Sequence, residues 1–337
     1  MKFTNDLQDR ARGVLLGLAS GDALGAGYEF KPAFGAGEPV DMIGGGLGDF
    51  APGEWTDDTS MAIAMAQALL ASGGAASEAA CTQMVQSWAD WAKTAPDVGV
   101  QTSAVLRAAQ VLARQDGRQL PIAPDARQAA EAAHHRTGRS GGNGSLMRTA
   151  PLALAYLHRP VEEVYAAAVK LSALTHFDSE AGEACGLWSV AIQHAVLTGE
   201  LEIRAGLGLL APARAELWEQ RIIAAENAAP RDFANNGWVV EAFQGAWSAI
   251  SAATVQGLDP EPSSQQVLVR SLEGAVRGGV DTDTVAAIAG SLIGAACGAS
   301  AIPGRWLGML HGWPGLTAAE LNGIALELSA EGASSKA

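Results

Sequence analysis

The sequence predicts an all-α protein, and three observations lead there. Apolar residues recur at helical spacing nearly throughout the 337 residues, and no segment sustains the two-residue alternation of a half-buried strand. Apolar residues make up 48% of the chain but aromatics only 6%, with Ala and Gly carrying much of the remainder. That balance suits closely packed helices better than β-sandwiches, which rely on β-branched and aromatic side chains.

Helices are expected near 6–20, 59–72, 78–93, 99–115, 125–136, 145–158, 161–174, 179–198, 214–228, 238–256, 264–277, 284–300 and 317–331. Their separators carry helix-stop chemistry, such as Ser72-Gly73-Gly74, Asp116-Gly117 and Asp259-Pro260. No repeat of fixed period and no dividing linker is present, so one compact domain is expected over 1–332, with 333–337 as a disordered tail. The longest irregular stretch, 31–54, is rich in Gly and Pro and reads as a candidate lid.

Net charge is −14, from 36 acidic against 22 basic residues. Such a chain repels phosphate backbones, and its densest basic cluster, HHRTGR (134–139), is short, so no nucleic-acid partner is expected. Cys81, Cys185 and Cys297 lie far apart without a CxxC, which argues for buried small side chains in a reducing compartment rather than disulfides or zinc. The apolar run 14–20 has Asp6, Asp9 and Asp22 around it, unlike a secretory leader. The uncharged run 285–302 is weakly hydrophobic and follows two aspartates, so it reads as a buried helix. A cytoplasmic protein with no membrane partner is the expectation.

Candidate chemistry gathers at helix mouths. Glu54-Trp55-Thr56-Asp57-Asp58-Thr59 opens an apolar helical run, where paired aspartates could simply serve the positive end of a helix. A second acidic group, Asp281-Thr282-Asp283-Thr284, also precedes a long apolar helix and follows two glycines. Asp281 and Asp283 are two apart, so in an extended stretch their carboxylates point the same way. If the two helices meet, four carboxylates and neighbouring hydroxyls would form an all-oxygen site for Mg²⁺ or Mn²⁺, not zinc. Without cations those carboxylates would repel one another and take up protons. Three further segments stand out: the Gly-rich stretch 17–25 followed by Glu29, Ser140 to Arg148 with glycines able to present N–H groups to a phosphate, and Thr175-His176 at a helix end.

Taken in order, GDALG (21–25) with Glu29, WTDDT (55–59), PDVGVQT (96–102), GNGSLMR (142–148), TH (175–176) and GGVDTDT (278–284) resemble the ADP-ribosylglycohydrolase family. That family includes the dinitrogenase-reductase-activating glycohydrolases and the ADP-ribosyl-acceptor hydrolases. The likeness extends from about Arg10 to Trp306. It implies an orthogonal multi-helix all-α fold with two Mg²⁺ or Mn²⁺ ions in a central cleft. Thr56, Asp57, Asp58, Asp281, Asp283 and Thr284 would be the metal ligands. Glu29, Asp58 and Asp97 would be catalytic, with Glu29 on a mobile flap. Ser140, Gly142, Asn143, Gly144, Ser145 and Met147 would form the loop around diphosphate and ribose, and His176 would lie near the substrate. Two departures stand out: PDVGVQT differs from the commoner DIGxTT pattern, and SGGNG (140–144) lacks a tyrosine that some relatives carry.

The implied reaction is hydrolysis at C1″ of ADP-ribose on a modified acceptor, arginine first and serine second, with ADP-ribose as product. Carboxylates would stabilise positive charge on the ribose and activate water. Two other readings stay open: a hydrolase of a small ADP-ribosyl or nucleoside-type compound, and a non-catalytic relative that binds ADP-ribose.

Overall fold

The computed structural model describes residues 5–254 and 262–334, and every stretch expected to be helical contains a helix. The elements run α1 (Asn5–Gly25), α2 (Asp57–Ala71), α3 (Glu78–Trp91), α4 (Val100–Gln115), α5 (Ala123–Thr137), α6 (Ala150–Ala155), α7 (Val161–Ser172), α8 (Ser179–Thr198), α9 (Pro212–Glu226), α10 (Val239–Ala253), α11 (Ser264–Arg277), α12 (Thr282–Cys297), α13 (Gly304–Met309) and α14 (Ala318–Ser334). Local chemistry sets many of the ends. Ser77 accepts the Ala80 N–H, Asp178 accepts the Glu180 N–H, and Ser263 with Gln266 closes a reciprocal box on α11.

Four expectations need correction. α1 runs on to Gly25, past the expected end at 20, because the glycines of 17–25 face another helix. The segment 145–158 is not one helix: a 3-10 turn over Asn143–Ser145 is followed by short α6, whose first turn holds Pro151. Proline has no N–H and cannot continue a helix from behind, so the break falls before it. α2 and α12 each start two residues earlier than expected, so Asp57, Asp58 and Asp283 lie inside first turns. Finally, α13 and a hairpin of β1 (His311–Gly312) and β2 (Leu316–Thr317) were not foreseen, being too short to show periodicity. The end of the expected 238–256 helix, the Asp259-Pro260 stop and residues 335–337 of the expected tail lie outside the described residues.

The centre of the molecule is the pair α1 and α12. Glycines 13, 17, 21 and 25 recur every four residues and so form one stripe on α1. They meet Gly294, Gly290, Ala286 and Asp283 in turn, which runs the two helices antiparallel. A Cβ at any of these four α1 glycines would fall well under 3.0 Å from backbone atoms of α12. The backbones therefore touch directly, and nearly every residue of α12 is buried.

Larger side chains fill the space around this pair. Trp188 of α8 donates through Nε1 to Ile288 O and Ser291 Oγ of α12. Phe243 of α10 takes edge-on contacts from Trp188 and from Trp218 of α9, with centroids 5.0 and 5.1 Å away. The hairpin braces the start of α2: Trp55 N–H donates to His311 O at 3.0 Å and Trp55 Nε1 to Trp313 O at 3.1 Å. No helix among the described residues is long and apolar enough to cross a membrane.

Replacing Gly290 by Ala is expected to cost more than about 3 kcal/mol, at or beyond the upper end of ordinary overpacking, because the clash is with backbone. Gly323→Ala on α14, where a new Cβ meets nothing within 4 Å, should be neutral or stabilise by up to about 1 kcal/mol. Chemical denaturation of the two variants distinguishes these outcomes. Equal midpoints would show that the close approach does not constrain the fold.

Candidate active site

The first acidic wall forms where α1 meets the start of α2. Asp22 of α1 is buried, and its carboxylate accepts the N–H of Thr56 and of Thr59 at 2.9 Å each, together with the Thr59 hydroxyl at 2.6 Å. A carboxylate from one helix thus caps the next. Asp58 is fully buried beside it, with Oδ2 accepting from Thr56 Oγ1 at 3.0 Å and Oδ1 without any hydrogen-bond partner. Thr56 Oγ1 also lies 3.4 Å from Asp283 Oδ2, which joins the two motifs.

The second wall is built on α12. Asp281 occupies the N-cap and Asp283 the first turn, so the extended geometry expected for this pair is replaced by a helix entrance. Asp281 is held from both sides: its N–H donates to Asn236 Oδ1 at 3.1 Å, and its Oδ2 accepts from Asn143 Nδ2 at 2.7 Å. Asp283 Oδ1 accepts the Thr284 N–H at 2.9 Å. Val280, just before, sits at φ +62°, a left-handed conformation costly for a β-branched residue. Its N–H donates to Lys31 O, and its carbonyl accepts the N–H of Phe30, itself at φ +56°. Those bonds tie the start of the 31–54 loop, and Glu29 with it, to the α12 entrance.

Two groups of carboxylates result, each with oxygens within 4.8 Å of one another: Asp22, Asp58 and Asp283, and Glu29, Asp281 and Asp283. Asp283 belongs to both. Above them opens a cavity of about 360 Å³ whose lining includes Glu29, Asp57, Asp97, Asp281, Asp283 and Thr284. Gly142, Asn143, Gly144, Met147 and His176 line the same cavity. Phe30, Leu47 and Val100 are exposed at its mouth.

Not every expected residue reaches this space. Ser140 points away, with Oγ 2.6 Å from His134 Nδ1. Ser145 is buried behind the loop, where Ser172 Oγ donates to its hydroxyl at 2.9 Å. Asp57 lines the cavity next to Gly99, whose N–H it accepts at 3.4 Å, and stands outside both three-carboxylate groups. Three contributors went unassigned at the sequence level. Asp22 lay inside a quoted motif, and a charge in an apolar run was its available signal. Gln101 lines the cavity and donates to Ser140 O and Thr175 O. Asn236 supports Asp281 across a sequence separation that leaves no local trace.

Comparisons with known proteins give the family. The family model described as ADP-ribosylglycohydrolase matches residues 4–336. The chain belongs to the ADP-ribosylglycohydrolase family. It is 31% identical to the ADP-ribosylarginine hydrolase Tri1 of Pseudomonas putida (strain GB-1), over 89% of this chain and 73% of that one. It is also 31% identical to the ADP-ribosyl-(dinitrogen reductase) glycohydrolase of Rhodospirillum rubrum, over 90% and 91%. The ADP-ribosylhydrolase ARH3 of Bos taurus is 28% identical over 90% and 89%. A solved structure titled ADP-ribosylglycohydrolase-related protein complex superposes with a TM-score of 0.73 at 30% identity, covering 98% of this chain and all of that one. The all-α fold of the glycohydrolase family is thereby shown.

The electrostatics of the site suit a cation. Burial pushes the carboxyl of Asp22 up to about 6, against hydrogen bonds from Thr59 and Thr56 that favour its charge. Burial, then Asp281 and Asp97, push Glu29 up to about 7. Asp57, Asp58 and Asp283 are raised well above the usual range, by burial first and neighbouring carboxylates second. Unpartnered oxygens on Asp58 and Glu29, in a set of oxygen donors alone, fit a hard divalent ion.

A carboxyl whose folded value exceeds its unfolded one binds more protons when folded, so stability falls as pH rises between the two. With Asp22 starting from 3.8 and Glu29 reaching about 7, the chelator-treated protein should lose stability across that window. Denaturation midpoints taken through the window check this, and Asp283→Asn should flatten the profile. A midpoint that rises over the same range would contradict it.

Proposed function

We propose that this glycohydrolase removes ADP-ribose from modified acceptors, arginine first and serine second, with two divalent cations, Mg²⁺ or Mn²⁺, as cofactors. The observation that carries the reading is the pair of carboxylate groups sharing Asp283, which lines one cavity with Glu29 and Asp281, and the two buried oxygens left unpartnered on Asp58 and Glu29. The arginine preference is supported by the likeness to a protein named as an ADP-ribosylarginine hydrolase. The volume falls in the range of small-ligand pockets, about 300–1,000 Å³.

Thr56, Asp57, Asp58, Asp281, Asp283 and Thr284 would hold the cations, and Asp22 is added to them here because its carboxylate stands with Asp58 and Asp283. When bound, the cations would supply positive charge that keeps these acids ionised and lowers the pKa of a coordinated water. The chain's own residues do the rest. Fixed carboxylates facing the ribose stabilise positive charge as the bond at C1″ breaks. Glu29, poised by burial near neutral pH, and Asp97, half-buried in the lining of the same cavity, would give and take the proton. Gly142 and Gly144, with no side chain, bring the loop backbone close to the ligand. Free cysteines at 81, 185 and 297 support a cytoplasmic location.

Release of ADP-ribose from arginine- and serine-modified peptides, with and without Mg²⁺ or Mn²⁺, tests the assignment. Release should require the cation and be faster from arginine. Asp58→Asn and Asp283→Asn should each lower it by more than about 100-fold, beyond what loss of a supporting contact costs. No release from either peptide with metal bound would sink both acceptor assignments. Turnover of free small ADP-ribosyl compounds alone would point to a small-molecule hydrolase, and binding of ADP-ribose without turnover to a non-catalytic role.

A further inference from the structure

Behind the glycine loop lies a buried cation that the functional reading leaves unused. Arg148 is fully buried, with its guanidinium 4.2 Å over the ring of Trp88. Its Nη1 donates to Gly144 O at 2.7 Å, and its Nη2 donates to Thr175 Oγ1 at 2.6 Å. Thr175, also fully buried, places the same Oγ1 2.7 Å from His176 Nδ1.

These contacts order the protons. A guanidinium has only donors, so Thr175 Oγ1 must be the acceptor from Arg148. The hydroxyl still has one proton to place, and among the described residues His176 Nδ1 is its remaining partner. Were Nδ1 itself protonated, the Thr175 hydroxyl would be a buried donor with nothing to receive it, an arrangement folded proteins avoid. Nδ1 is therefore the bare nitrogen. Burial, helped by the charge of Arg148, pushes His176 down to about 3, so the ring is neutral and its one proton sits on Nε2.

Among the described residues no hydrogen bond reaches Nε2, and His176 lines the cavity. A Cβ at Gly142 would lie 3.3 Å from Nε2, and one at Gly144 would lie 3.1 Å from Cε1 and 3.3 Å from Nε2. The two glycines keep that nitrogen open to an incoming atom. Because Arg148 grips both Gly144 O and Thr175 Oγ1, one side chain sets the loop and the ring relative to each other.

We propose that Arg148 and Thr175 are positioning residues that lock His176 in its Nε2–H form, presenting a neutral hydrogen-bond donor to a phosphate or hydroxyl oxygen of the ligand. The tautomer follows from the geometry alone. Only the identification of that oxygen with ADP-ribose rests on the proposed function.

The test uses the full chain labelled with ¹⁵N-histidine, with the His176 signals assigned by their loss in His176→Asn. Long-range proton–nitrogen correlation at neutral pH should show Nε2 protonated and Nδ1 bare in the ligand-free protein. A protonated Nδ1 would overturn the proposal. Thr175→Val should disturb that pattern and weaken ADP-ribose binding, measured by calorimetry with Mg²⁺ present, by about tenfold or more, the scale of a hydrogen bond to a charged group. Thr175→Ser, which keeps the hydroxyl, should restore both. Wild-type affinity and tautomer in Thr175→Val would also overturn it. If ADP-ribose does not bind the wild-type chain, the functional reading fails, and the nitrogen signals still decide the tautomer.

Discussion

The direct backbone contact between α1 and α12 is what brings the carboxylates together. Hydrogen atoms stand where side chains would hold the helices apart, so Gly25 lies against the backbone of Asp283 at the entrance of α12. That approach places Asp22 within a carboxylate group's reach of Asp283. Ordinary helix pairs keep their axes about 8–10 Å apart through their side chains, and such spacing here would separate the acids. The glycine stripe thus does locally what a metal-binding loop does elsewhere: it converts distant sequence positions into one donor set.

Concentrating acids in a buried cleft opposes folding, and the structure offsets this with neutral donors rather than with cations. Asn143 donates to the Asp281 carboxylate, backbone N–H groups hold Asp22 and Asp283, and Thr56 bridges Asp58 to Asp283. None of these partners neutralises charge. Arg148, the nearby buried cation, is turned instead toward Gly144 and Thr175. The cleft stays electronegative, which is the condition a divalent ion or a developing positive charge on a sugar requires.

Much of this could be read in the chain. WTDDT alone reads as helix capping, but a second acidic group in DTDT at the mouth of another apolar helix points to a shared site, and the order of the accompanying motifs gave the family. What escaped did so for physical reasons. The helix expected over 6–20 stopped short of Gly21 and Gly25, because glycine disfavours a helix, and the stripe of four becomes intelligible only with α12 alongside. The entry of α12 looked extended because the N-cap of that helix is set by a hydrogen bond from Asp281 N–H to Asn236, far away in sequence. Ser140 and Ser145 share a polar loop with Gly142 and Gly144, yet turn to His134 and Ser172, a choice no local pattern records.

Asp22 links construction and chemistry most closely. Its two oxygens take up the first N–H groups of α2, and the same carboxylate belongs to an acidic group. An enzyme can ordinarily alter a ligand while leaving its scaffold intact. Here the residue is both fastener and donor, so drift at this position would loosen the start of α2 before it could retune the site. Phe30, Leu47 and Val100 at the exposed rim bear no such double duty.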